Sequence, residues 1–353
     1  MRVFLTGGTG FIGQALTKRL LARGWQIVAL VRKADSPQAR TLAKMGAQCA
    51  TGDVTDRESM RSPMKGADIV VHNAGHYEFG VTKTGAERMQ AVNVTGTEHV
   101  LGLAQEMGIP RTVYVSTVMA FGDTGPEMRD ETFARRAPCR SAYERTKTDA
   151  HAVALRFQQS GLPLIIVCPN AVIGPNDHSV WGYFVRMYIN RVMPPMAWAA
   201  NTIFGCVEVD DLAEGIALAA EKGRLGETYV LSGEFQSFRD LMKTWTTRPG
   251  AFKAAMWLPP SVAALFFAPL EPLLRSLGLP AFISRETVAA GATNMYLSAE
   301  KAKRELGWAH RSAQAAWLAT IDGELELLSK RKGQKLIQRL KPLDSSREAR
   351  GRR

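Results

Sequence analysis

The chain is poor in the residues that staple or metallate a fold. Its 353 residues include four cysteines and six histidines. Cys49, Cys139, Cys168 and Cys206 lie far apart with no C-x-x-C pair. That argues against a disulfide framework and fits reduced thiols in a cytoplasmic setting. The histidines form no H-x-H pair, and the one H-x-x-x-H spacing, His72 and His76, closes a strand pattern and does not share a helix face, so no metal site is expected. The first strand pattern begins at residue 2, so no removable secretory leader is expected. The uncharged run 254–270 falls short of the roughly 18 apolar residues of a membrane span. Pro259, Pro260 and Pro269 also break it. There are no internal repeats. The body of the chain has no basic surface either. The formal charge is +12, but residues 330–353 hold ten Lys or Arg against Asp344 and Glu348. That tail is expected to be a solvated, disordered extension, a separate electrostatic object from the folded body. No reader helix, zinc spacing or aromatic–basic interleaving accompanies it, so nucleic acid is not an expected partner.

What is present is an α/β pattern. With 46% hydrophobic and 22% charged residues the chain suits one large core plus a smaller lobe. Arg2-Val3-Phe4-Leu5 runs into Thr6-Gly7-Gly8-Thr9-Gly10-Phe11-Ile12-Gly13. This is a short strand emptying into a glycine-rich turn that opens a helix. Gly7 permits the tight turn, Gly10 lets a pyrophosphate approach the backbone, and Gly13 lets the helix pack close to the strand. The unpaired N–H groups and dipole of the helix start favour the anion.

Further strand-like runs recur between helical stretches, around 26–31, 47–50, 68–72, 112–115, 164–168 and 228–231. They are apolar on both faces, as parallel strands covered by helices should be. The fold class expected is a Rossmann-type, doubly wound parallel sheet with a smaller, discontinuous C-terminal substrate lobe. Residues 1–175 form the dinucleotide-binding core and 202–235 return to it. Residues 176–201 and 236–310 form the lobe, 311–329 a C-terminal helix, and 330–353 the basic tail. Trp, Met, Tyr and Pro crowd 181–198, and a second apolar, proline-broken segment spans 254–282. Two readings stand for 254–282: short helices lining an apolar pocket, or docking at a membrane surface aided by the tail.

Tyr143 and Lys147 are four apart at the start of a helix predicted to run to Gln159, so they share one face. A cation beside a phenol draws its pKa from roughly 10 towards working pH. Alone, Tyr-x-x-x-Lys is a common exposed pair; after a glycine turn it points to acid–base chemistry. Ser116-Thr117 ends a strand, where hydroxyls either meet a substrate carbonyl or cap local backbone. Arg32-Lys33 follows the second strand, where a site selective for NAD carries Asp or Glu. Two cations there favour a 2′-phosphate, hence NADP(H), with NAD(H) the lesser alternative. His76, Tyr77 and Glu78 lie where a substrate passes, and His72 suits core or site equally.

These motifs, in this order, resemble the extended short-chain dehydrogenase/reductase family, the NAD-dependent epimerase/dehydratase group. The matching pieces are the glycine turn, Gly52-Asp53-Val54, His72-Asn73-Ala74-Gly75, and Asn93-Val94-Thr95-Gly96-Thr97. Beyond them come Val115-Ser116-Thr117, Tyr143-x-x-x-Lys147, Pro169 to Pro175, and Val209-Asp210-Asp211-Leu212-Ala213. The resemblance covers residues 1 to about 310. It is closest to the dihydroflavonol-reductase-like branch, on Arg32 and the late Lys303-Arg304-Glu305-Leu306-Gly307-Trp308 segment.

The resemblance implies roles. Gly7, Thr9, Gly10, Phe11, Ile12, Gly13, Asp53, Val54, Asn73, Ala74, Gly75 and Val115 would surround the cofactor, with Asp53 on the adenine. Pro169 and Val172 would border the nicotinamide, and Asn170 the substrate. Thr117 stands at the catalytic hydroxyl, with Ser116 the adjacent candidate. Asn93 lies behind the site and supports Lys147. A homodimer is also implied. The reading is an NADP(H)-dependent carbonyl reductase or alcohol dehydrogenase acting on a medium, largely apolar ketone or aldehyde. A sugar-nucleotide epimerase or dehydratase is the enzymatic alternative, and an NADP(H)-binding sensor without turnover the non-catalytic one.

Overall fold

The structure, a computed structural model, describes residues 1–77, 83–193, 196–250, 256–267, 269, 285–331 and 333–342. Glu78, most of 268–284 and the end of the basic tail lie outside the described residues.

Alternation in the strands builds the layers. In β1 (Arg2–Thr6), Val3 and Leu5 face one way and Phe4 the other; β2 (Gln26–Val31) repeats the pattern. With β3 (Gln48–Thr51), β4 (Ile69–His72), β5 (Thr112–Val115), β6 (Leu164–Pro169) and a later strand, Thr228–Leu231, they form one parallel sheet of seven strands. Its order is Thr228–Leu231, β6, β5, β4, β1, β2, β3. Both faces are covered. Helices α1 (Phe11–Ala22), α2 (Pro37–Met45) and, later, Val209–Lys222 close one side. Helices α3 (Arg57–Met64), α5 (Gly96–Glu106) and α6 (Ala142–Gln159) close the other, with α4 (Lys83–Gln90) leading into α5. Strand order reverses between β1 and β4, which opens a crevice at their carboxyl ends. That crevice carries the site.

The aromatic crowding seen in the sequence becomes a third core. Helix α7 (Val180–Ile189), strand β7 (Ala171–Ile173), the parallel pair β8 (Met196–Trp198) with Met256–Leu258, and the helix Ala313–Ser329 enclose it. Trp245 and Trp317 are fully buried there. Trp181 lies 5.0 Å from Phe204 and 5.6 Å from Trp317, ring centre to ring centre. Residues 202–235 divide between the two bodies. Strand β9 (Ile203–Glu208) pairs with β7 and with the strand Phe235–Ser237 in a small lobe sheet, and only Thr228–Leu231 joins the main sheet.

One buried ion pair holds the lobe to the end of the chain. Arg186 of α7 and Glu324 are each almost wholly buried, 2.8 Å apart. The same guanidinium donates to the carbonyls of Leu340 and Asp177, and Glu324 accepts from the N–H of Asn176. The described start of the basic tail therefore touches the lobe through Leu340, while Lys330 and Lys335 stay exposed, as its charge suggested. Arg331 is 4% exposed. Its Nη1 donates to the carbonyls of Gln338, Arg339 and Lys341 at 3.4, 3.1 and 2.7 Å, at the end of the short helix Leu336–Leu340. A cation is at its best against unpaired helix-end carbonyls, and that offsets the like-charge repulsion.

Removing one partner of the pair leaves the other charged and buried. Glu324→Leu should cost about 3–5 kcal/mol in urea unfolding, and Arg186→Met/Glu324→Leu clearly less than that. Equal losses in the two variants would show that the pair is not what holds this junction.

Candidate active site

The glycine turn is shaped from within and open from without. Gly7 has φ +72°, and a Cβ there would stand 2.7 Å from the backbone of Asn73 and Ala74. A Cβ on Gly13 would meet the Gly7 carbonyl oxygen at 2.1 Å. Both glycines are required by the chain's own packing. Gly10 is different. Its backbone is extended, and a Cβ would find only the Gly7 oxygen, at 3.3 Å. The chain itself gives little reason for a glycine there; a ligand against the turn does. No side chain caps α1 and no acid sits in its first turn, so its positive end is left for an anion.

Beside the turn, a buried relay runs across the sheet. The Ala74 N–H donates to Thr6 Oγ1 at 3.1 Å, Thr6 contacts His72 Nδ1 at 2.8 Å, and His72 Nε2 meets Thr97 Oγ1 at 3.0 Å. Thr97 donates to the Asn93 carbonyl at 2.7 Å. The directions require a proton on Nε2, donated to Thr97, and in the neutral ring Nδ1 accepts from the Thr6 hydroxyl. Burial first, and Lys147 second, bring its pKa down to about 3. His72 is therefore a structural strut.

Asn93 sits in a single π-helical turn, Ala91–Thr95. Its Oδ1 accepts from the His76 N–H at 2.7 Å. Its Nδ2 donates to the His76 carbonyl at 3.0 Å and to Thr146 Oγ1 at 3.1 Å. Thr146 in turn donates to the Tyr143 carbonyl. Asn93 thus pins the loop after β4 to the first turn of α6; it is a positioning residue for that turn. A side chain on Gly75 would fall 3.6 Å from Asn93 Oδ1 and 4.0 Å from Lys147 Nζ, so glycine keeps this floor clear.

Tyr143 and Lys147 stand on α6, capped by Ser141, whose Oγ accepts from the Glu144 N–H at 3.0 Å. The Tyr77 ring packs edge-on against Tyr143, centres 4.6 Å apart. Lys147 donates to the Val115 carbonyl at 3.3 Å and lies 5.4 Å over the Tyr114 ring. The expectation that Lys147 draws Tyr143 down is not met within the chain itself. Burial sets both groups: it pushes the phenol above its ordinary value and brings the lysine to about 8.

The two neighbouring hydroxyls diverge. Thr117 Oγ1 accepts from the Met119 N–H at 3.2 Å, capping a short turn, and keeps its own hydrogen to donate. Ser116 Oγ is taken by His151 Nδ1 at 2.8 Å, behind the sheet. Asn170 is also committed elsewhere. Its Nδ2 donates to Ser232 Oγ and the Met295 carbonyl, and its Oδ1 accepts from the Ala171 N–H. His151, Ser232 and Met295 come from distant chain, so Ser116 and Asn170 brace the structure while both also border the cavity where substrate contacts were expected of them.

Three residues passed over in the sequence shape this site. Arg135 donates to the Met119 and Ala120 carbonyls and to Glu144 Oε1 at 2.7 Å. Glu144 Oε2 accepts from the Arg140 N–H. This pair, a half-buried arginine on a buried carboxylate, ties the turn carrying Thr117 to the helix carrying Tyr143. Asp177 accepts from Ser179 and from the Gly182 N–H at the start of α7, and burial raises its pKa to about 6. The only sequence signal for any of these was the S-x-x-E capping pattern around Ser141 and Glu144.

A cavity of about 580 Å³ joins the parts. One end is walled by Gly7, Thr9, Gly10, Phe11, Ile12, Arg32, Asp53, Val54, Asn73, Ala74 and Gly75. Its middle has His76, Tyr77, Arg88, Val115, Thr117, Tyr143, Lys147, Pro169 and Val172. Its far end is aromatic: Trp181, Phe184, Trp198, Phe204 and Phe238. Lys33 is exposed and does not line it, and Gly13 lies behind the turn. Asp53 is oriented by the Thr55 N–H and hydroxyl, both donated to Oδ1. The first two sections fit a dinucleotide: a glycine turn with an uncapped helix start, a carboxylate with a flanking valine, and a buried ammonium.

A family model described as "NAD dependent epimerase/dehydratase family" matches residues 3–232. The chain is 33% identical over 327 residues to a Synechocystis sp. protein whose name places it with the dihydroflavonol 4-reductases, covering 89% of this chain and 91% of that one. It is 32% identical over 324 residues to a 4-hydroxy-2-methyl-3-oxo-4-farnesyl-3,4-dihydroquinoline-1-oxide ketoreductase of Stigmatella aurantiaca, covering 88% and 92%. Among solved structures, the crystal structure of gox2253 matches with a TM-score of 0.77 at 31% identity, covering 94% of this chain and 99% of that one.

The glycines separate fold from binding. Gly13→Ala should lose about 1–3 kcal/mol of stability through the clash with Gly7. Gly10→Ala should unfold within about 0.5 kcal/mol of the parent yet bind a dinucleotide roughly tenfold more weakly or worse. Thermal melts and cofactor fluorescence titrations read the two effects. Unchanged binding in Gly10→Ala would remove the turn from the site.

Proposed function

The chain belongs to the NAD-dependent epimerase/dehydratase family, and on that footing we propose that it is an NADP(H)-dependent carbonyl reductase for a medium-sized, largely apolar ketone or aldehyde. The observation that carries this reading is the continuity of the cavity. It runs from the glycine turn, past Tyr143, Thr117 and Lys147, to an aromatic end wall.

A nicotinamide dinucleotide, when bound, supplies the hydride. The chain's own groups do the rest. Gly7 to Ile12 offer backbone N–H groups and the α1 dipole to the phosphates. Asp53 and Val54 take the adenine end, and Ala74, Gly75, Val115, Pro169 and Val172 the nicotinamide end. Arg32, exposed on the cavity wall, meets a 2′-phosphate as a guanidinium fork. Tyr143, kept protonated by burial, donates its proton to the substrate oxygen as negative charge develops there. Thr117 donates its free hydroxyl hydrogen to the same oxygen and fixes its position. Lys147, still cationic below about pH 8, stabilises the phenolate left behind.

The aromatic wall supports the substrate class. Between Asp177 and Met295 the described lining includes no Lys or Arg, whereas a sugar nucleotide needs cations for its diphosphate. Trp181, Phe184, Trp198, Phe204 and Phe238 instead favour rings or prenyl chains, in line with a relative named for a farnesylated quinoline ketone.

Tyr143→Phe should lower reductive turnover by about 10²–10⁴-fold while leaving NADPH binding nearly unchanged. Retained turnover on a ketone panel would end this mechanism, and no turnover in the parent would favour the sensor reading. For the parent, kcat/KM for reduction should hold across neutral pH and fall above about 8, as Lys147 loses its proton. Arg32→Asp should weaken NADPH about tenfold or more and NADH little. Equal losses for both cofactors would make NAD(H) the better assignment.

A further inference from the structure

The lobe carries a cluster of exposed apolar side chains on one short element. In the helix Pro260–Phe267, Leu265 is 71% exposed, Phe266 56% and Val262 37%. Met256, on the adjoining strand Met256–Leu258, is 47% exposed. Singly exposed apolar residues are ordinary on any surface; a cluster on one uncharged segment marks an interaction site. Residues 254–270 contain no charged residue. Among the described residues no helix is long and apolar enough to cross a membrane.

This element sits over the cavity. Pro260–Phe267 packs on the helix Arg285–Gly291, whose Thr287, Ala290 and Gly291 line the cavity. The strand Met256–Leu258 pairs with β8, with Leu258 opposite Trp198, another lining residue. A Cβ on Gly291 would stand 2.9 Å from Trp198 Nε1, so these two inner elements are in close contact.

Charge says what covers the face. At its edge the exposed Arg239 lies 5.0 Å over the Trp257 ring. A guanidinium on an indole suits headgroup depth, where the ring meets the acyl boundary and the cation meets phosphate. Residues 330–353, a separate segment, carry a net +8 that adds long-range attraction to an anionic surface. Apolar area plus net positive charge is the combination that binds anionic bilayers.

We propose that this face docks the protein on an anionic lipid bilayer, with Pro260–Phe267 lying in the headgroup boundary above the cavity. The contact rests on surface shape and charge and does not depend on the reaction proposed above. Full-length protein is floated with phosphatidylcholine vesicles, with and without phosphatidylglycerol. It should bind the anionic vesicles, and Leu265→Glu/Phe266→Glu should cut the bound fraction roughly tenfold or more. Both side chains are exposed, so the variant should keep its melting temperature and its NADPH binding. Parent protein that fails to bind, or a variant that binds as well as the parent, would overturn the proposal. So would sedimentation equilibrium in which the variant splits a dimer while vesicle binding is absent, because a second copy would then be the occupant.

Discussion

The carboxamide of Asn93 is the constraint on which the site depends. It accepts from one backbone N–H and donates to one backbone carbonyl of the same residue, His76, and spends its second N–H on Thr146. Only a side chain that is both donor and acceptor meets this demand; a carboxylate would have no hydrogen to give and would bury a charge. Through Thr146 the bond reaches the Tyr143 carbonyl, and through its own backbone carbonyl it reaches Thr97 and His72. The loop after β4, the π-helical turn and the start of α6 therefore move as one piece. Arg135 and Glu144 do the same from the opposite side, tying the Thr117 turn to α6.

Much of this was legible in the sequence where short-range geometry decides. The glycine turn reads directly because Gly7 and Gly13 answer to atoms within a few residues or one strand away. The Tyr143–Lys147 spacing reads directly because a helix dictates which residues share a face. The seven sheet strands were visible as apolar runs. What was not legible is which way polar side chains turn once distant chain arrives. Ser116 is claimed by His151, and Asn170 by Ser232 and Met295, partners brought in by tertiary structure. Nothing in the local sequence marks Arg135, whose partners Met119 and Glu144 lie 16 and 9 residues away. The same holds for one residue of the tail: charge density argues for solvation, but Arg331 meets three carbonyls.

Burial does most of the electrostatic tuning. It holds His72 and His151 neutral, lifts Tyr143 and Asp177, and lowers Lys147. A protonated phenol beside a lysine poised near 8 is suited to giving a proton at neutral pH. The far end of the cavity is lined by aromatic side chains, a low-polarity surface continuous with the buried groups.

The Arg186 network also orders the birth of the protein. The last strand of the main sheet ends at Leu231, so all seven strands are made before the chain reaches Ala299, Ala302, Leu306 and Trp308, which complete the core on one face. Arg186 lies on a lobe helix made before that strand, yet its counter-ion is Glu324 and its final acceptor the carbonyl of Leu340. A nascent chain shorter than that carries an arginine with nowhere dry to go. The lobe is thus finished only when nearly the whole polypeptide has emerged, and chains cut short should be recognisable to quality control by an unfinished lobe on a sound sheet.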